Sequence, residues 1–191
     1  MIASSPALAL RVLPNTLLWR IALVILGSGL IGLAAQVAVP VPGSPVPVTG
    51  QTFAVLLVGA TLGSRLGAAA VVAYLAEGAI GLPVFAPGPA LGLARFSGPT
   101  AGYLAGFVLA AFVAGWLAER GWGRRVWTAA LAMLIADALI YAVALPWLSR
   151  FVPSGAVFEA GLYKFIAGDL YKIALAAATL SVAARVVPRP H

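Results

Sequence analysis

Residues 126–148 read VWTAALAMLIADALIYAVALPWL, and the only charged side chain in that run is Asp137. About 20 predominantly apolar residues suffice for a helix to cross a bilayer core of ~30 Å. A helix apolar on every face has nothing to offer water, so it belongs in lipid or deep in protein. Similar runs occur at 17–39, 51–62, 66–81, 99–117 and 169–187. Over 191 residues the composition is 62% hydrophobic and 9% charged, whereas soluble domains run about 45–50% apolar and about 25% charged. The chain is therefore an all-α integral membrane protein, expected as a bundle of six transmembrane helices. Its expected organisation is an N-terminal arm at 1–16, a single membrane domain at 17–187 and a tail at 188–191.

The same composition excludes several chemistries. With no cysteine, and one histidine at position 191, thiolate sites, a His-based metal site and a Ser–His catalytic pair are not expected. No Gly-x-x-x-x-Gly-Lys-Ser/Thr loop occurs, so nucleotide binding by that device is absent. The first apolar run, 21–39, outlasts the ~7–15 residues of a signal-peptide core and is expected to be retained.

The net charge of +7 matters less than where the basic residues fall. Numbering the connections alternately puts Arg11, Arg20, Arg65, Arg120, Arg124, Arg125, Arg185 and Arg189 on one side and Arg95 and Arg150 on the other. Excess Lys/Arg marks the cytoplasmic face. Both termini are expected inside, with the longer connections 40–50, 83–98 and 149–168 outside. The first holds Pro40, Pro42, Pro45 and Pro47 and should be stiff and extended, because proline fixes φ and removes a donor.

Ionisable groups near the membrane are the candidates for chemistry, since burying them in lipid costs about 2.5–3.5 kcal/mol each. Asp169 and Lys172 lie three apart at the head of the last span. They share a helix face and either present both signs to one polar ligand or neutralise each other. Glu77, in the outer half of the third span, either lines the same pocket or reaches for the interface. Asp137, at mid-membrane, reads as structural. Arg95 offers a fork suited to a carboxylate, and Tyr74 a wall for an apolar ring. Thr49 and Gln51 place hydrogen-bonding groups at the rim, with helix capping the competing role for Thr49. Ser28, Gly32 and Ala35 form a small-residue stripe on the first span, fit for close helix approach, either by a partner or within the bundle. Asp137 and Asp169 in successive spans raise an intramembrane aspartyl protease, but the stretch at 166–169 is Ile-Ala-Gly-Asp and lacks that family's first glycine.

Four motifs carry a resemblance: PVPVTGQTF at 45–53, GAIGLPVF at 78–85, GPTAGYLAGF at 98–107 and GDLYK at 168–172. In this order they resemble the BioY family, the biotin-specific substrate-binding (S) subunits of energy-coupling-factor transporters, across roughly residues 30–185. The resemblance implies an S-component-like bundle in a bacterial plasma membrane that captures biotin from outside. It implies partnership with a transmembrane T subunit and two ATPase subunits, no enzymatic activity and no cofactor. Asp169 and Lys172 match the family's Asp-x-x-Lys ligand pair, Arg95 a basic ligand residue, and Ser28 with Gly32 the stripe that docks the T subunit. Glu77 and Ala101 depart from the family pattern. An S subunit for another small vitamin is the nearest alternative, and self-association of the chain is left open.

Overall fold

The structure is a computed structural model that describes residues 7–11, 13, 14 and 16–187. Part of the expected arm and the whole expected tail, with Arg189, lie outside the described residues. The described chain is built on five helical segments long and apolar enough to cross a membrane. They are α1 (Leu17–Gln36), α2 (Gln51–Ala79), α3 (Ala101–Glu119), α4 (Val126–Leu148) and α5 (Lys164–Val186).

The second of these is not one rod. Gly63, at φ 85° and ψ 174°, occupies a region open essentially to glycine alone. There the chain doubles back. Gln51 Nε2 donates to Tyr74 Oη at 2.5 Å, whereas a straight helix rising 1.5 Å per residue would hold those residues about 35 Å apart. The two arms, 51–62 and 64–79, therefore run antiparallel. The reversal is sealed by Glu119, whose carboxylate accepts from the Ser64 backbone N–H at 2.8 Å and from Ser64 Oγ at 3.0 Å. Gly59 and Gly115 bring backbone against backbone here, since a Cβ on Gly59 would strike Ala111 and one on Gly115 would strike Gly63 and Ser64. The turn at 120–125 sits at this same end, with Gly123 packed against Leu180 of α5.

The opposite end carries the long connections. α1 stops at Gln36, short of the expected 39, because residues preceding proline are pushed toward extended backbone. Instead Ala38–Val39 (β1) pairs antiparallel with Val48–Thr49 (β2), Val39 opposite Val48, which ties the base of the proline loop. That loop is pinned at its far side too. Ser44 Oγ donates to Ala160 O at 2.6 Å and Lys164 Nζ to Pro42 O at 2.8 Å. Ala160 lies in a π-helical turn, Glu159–Tyr163, that leads directly into α5.

α4 keeps its expected bounds, 126–148, with Pro146 inside its last turn, where a proline forfeits a single backbone bond. α5 begins at Lys164 and passes through Gly168 without a break, because one glycine costs a helix only about 1 kcal/mol.

Large apolar side chains such as Leu18, Leu33, Trp127, Leu175 and Val182 point outward. The core is mostly alanine, glycine and aliphatic, with Ile31, Leu56, Val71, Met133 and Leu148 almost wholly buried.

Candidate ligand site

A cavity opens among both arms of α2, α3, α4, α5 and the loops of the long-connection end. Its space free of protein atoms, mouth included, is about 590 Å³. Of the residues singled out in the sequence, Thr49, Gln51, Tyr74, Arg95, Asp169 and Lys172 all line it. They are far apart in the chain, and the Gly63 reversal is what sets Gln51 beside Tyr74.

On the α4/α5 wall, Lys172 Nζ donates to Asp169 Oδ1 at 3.0 Å and Tyr141 Oη donates to Asp169 Oδ2. Asp169 is 4% exposed, and a carboxylate so enclosed is tolerated because both oxygens are held. Tyr103 packs edge-on against Tyr141, ring centres 6.1 Å apart, and donates to Gly161 O at 2.6 Å. The π-helical turn thus supplies the carbonyl that orients the Tyr103 phenol.

On the other wall, Thr49 Oγ1 donates to Gln51 Oε1 at 3.0 Å and Gln51 in turn to Tyr74, a relay that locks the Tyr74 ring against Phe85 at 5.3 Å. Arg95 stands in a 3-10 turn, Gly92–Ser97, and is 8% exposed. One of its terminal nitrogens donates to Ala86 O. Burial draws the Arg95 guanidinium below its ordinary value, and the Tyr74 phenol partly offsets this. An arginine nevertheless keeps its charge at neutral pH. Among the described residues it has no ion pair, so most of its five-donor fork is uncommitted.

Three expectations fall elsewhere. Glu77 is not among the cavity's lining residues; its carboxylate accepts from Ser28 Oγ of α1 at 2.7 Å. Ser28 and Ala35 are buried, and Gly32 lies against Val84. In this chain the small-residue stripe packs α1 within the bundle, with Ser28 donating to Glu77. Asp137 and Asp169 share no hydrogen bond among the described residues, unlike the proton-sharing dyad of an aspartyl protease.

The sequence did not single out Tyr103, Tyr141 or Asp137 as cavity residues. Tyr141 lies one turn beyond Asp137 on α4, so their shared face was the available signal. Asp137 Oδ1 is buried and accepts no hydrogen bond among the described residues. A stranded group of that kind costs about 1–3 kcal/mol, more when charged.

A membrane-embedded helical bundle that gathers buried charged groups beneath loops at one end is the build of a small-molecule-binding membrane protein. This chain belongs to the BioY family, whose profile matches residues 8–189. It is 39% identical over 158 residues to a probable biotin transporter BioY of Pyrococcus horikoshii, covering 82% of this chain and 91% of that one. It is 40% identical over 141 residues to the biotin transporter BioY of Rhizobium etli, covering 70% and 75%. It is 38% identical over 152 residues to that of Thermotoga maritima, covering 78% and 86%. The fold is similar to a crystal structure of the S-component for biotin from an ECF-type ABC transporter, with a TM-score of 0.81 at 24% identity over 91% of this chain and 94% of that one.

Proposed function

We propose that this chain is the biotin-capturing subunit of an energy-coupled uptake transporter. The observation that carries the reading is that one cavity holds an uncommitted arginine and a buried Asp–Lys pair in an otherwise largely apolar lining. Pockets for small ligands are mostly apolar with a few placed polar groups. Biotin asks for that distribution: a carboxylate tail, a sulfur-containing apolar ring, and a ureido group with two N–H donors and one carbonyl.

The charges also suggest which end goes where. A ligand carboxylate on the α4/α5 wall would meet the acids Asp137 and Asp169 against the single base Lys172. At Arg95 it would meet an unpaired cation. The tail therefore belongs at Arg95, and the ureido ring at Asp169 and Lys172.

In this reading each arm of α2 crosses the membrane, giving six crossings with both termini cytoplasmic in a bacterial plasma membrane. Arg65, Arg120, Arg124 and Arg125 cluster at the turn end, as the positive-inside rule favours. The cavity then opens outward. Energy comes from a T subunit and two ATPases, since the chain carries no nucleotide loop; this partnership rests on family membership.

The test is saturable binding of radiolabelled biotin to the purified chain in detergent, with thiamin and riboflavin as comparators. Biotin bound tightly and neither comparator competing is expected. Binding of a comparator in place of biotin would transfer the reading to another vitamin.

A further inference from the structure

Asp169 is held at both oxygens, one by Lys172 and the other by Tyr141. The second acid on the same wall is not. Asp137 lines the cavity, is 5% exposed, and its Oδ1 has no hydrogen-bond partner among the described residues.

Its depth follows from the helix register. α4 and α5 run antiparallel: Gly161 lies against Leu148, Tyr141 bonds Asp169, and Gly123, just before α4, lies against Leu180. One turn back along α4 from Tyr141 is Asp137, and about one turn forward along α5 from Asp169 is Lys172. Both steps lead away from the loops, so Asp137 and Lys172 occupy the cavity floor. Nothing in the packing of α4 requires an acid there. A leucine has the same branched outline without the polar oxygens, and a buried carboxyl oxygen with no partner costs stability.

The geometry points to Asp137 as a ligand-contacting acceptor that takes one ureido N–H of biotin, complementing Asp169 at the other. This inference rests on the biotin reading. A ureido ring presents two N–H groups, and a cavity with one unengaged acceptor on its floor and one engaged acid a turn above provides for both. Asp137 then gives up stability in the empty state and regains it when the ligand supplies the missing donor.

The experiment measures biotin and biotin methyl ester affinity, together with the unfolding temperature of the empty protein, for wild type and Asp137→Leu. Expected is an unfolding temperature equal to or above wild type. Biotin affinity should fall at least about tenfold, the scale of a hydrogen bond to a charged group, with the same factor for the ester because the contact is at the ureido end. Biotin affinity within twofold of wild type overturns the inference, as does a loss seen for the acid and not for the ester. If Asp137→Leu does not fold, Asp137→Asn decides. It keeps one carbonyl acceptor and should weaken both ligands by roughly threefold or more, and unchanged affinity overturns the proposal. Wild-type protein that fails to bind biotin defeats the biotin reading and this inference together, whereas wild type that binds beside an unaffected Asp137→Leu defeats this inference alone.

Discussion

Glu119 and Asp169 are acids near opposite ends of one bundle, and they are held in different ways. Glu119 closes the turn end. Its oxygens take a backbone N–H and a hydroxyl from Ser64, partners on a neighbouring element that lie outside the cavity lining. Asp169 stands at the loop end, held by two side chains, Lys172 and Tyr141, that line the same cavity it does. An acid tied to a turn's backbone N–H serves the fold. One clamped by movable side chains around open space can exchange those partners for a ligand.

The sharpest way to break this comparison is Lys172→Ala. It leaves the buried Asp169 carboxylate without its cation, so the unfolding temperature should drop, and with a ligand-facing charge gone biotin affinity should fall by about 100-fold, or about 2.7 kcal/mol. Retained affinity in an equilibrium binding assay would place the ligand elsewhere. Arg95→Gln should come next. It should lower biotin affinity by roughly 10-fold or more, as for a charge-assisted hydrogen bond, while binding of the methyl ester barely changes. An equal loss for both ligands would remove the carboxylate from Arg95.

Glu119→Gln reverses the pattern. It should destabilise by about 1–2 kcal/mol in thermal unfolding and leave biotin affinity within twofold. A large affinity loss would mean that the two ends are coupled. The smallest effect belongs to Lys164→Ala, which removes a partly exposed clasp on the proline loop. Stability should shift by under about 1 kcal/mol, with faster biotin dissociation in a stopped-flow chase as its main signature.

The membrane class, the alternation of apolar runs and the reversal at Gly63 were legible in the sequence. Lipid imposes its demand on every residue of a span, and a glycine between two short apolar runs marks a break whatever surrounds it. α4 was legible to the residue, since both its bounds are changes in composition. The α5 start was not, because the mixed residues of the π-helical turn, Glu159–Tyr163, and the glycine at 168 fit helix or loop alike. Asp169, Lys172, Arg95, Gln51, Thr49 and Tyr74 could be named one by one, each as an ionisable or polar group in an apolar setting.

What only the tertiary structure decided was which of these groups meet. Glu77 and Asp137 are indistinguishable as acids in apolar helices. Packing gives Glu77 the Ser28 hydroxyl of α1, away from the cavity lining, and turns Ser28 and Ala35 inward. The same packing leaves Asp137 on the cavity floor with a partnerless oxygen. A sequence sets the cost of burying a polar group, residue by residue. Whether that cost is met by a neighbour or left for a ligand depends on distances of a few ångströms between helices, and those exist only once the bundle has closed.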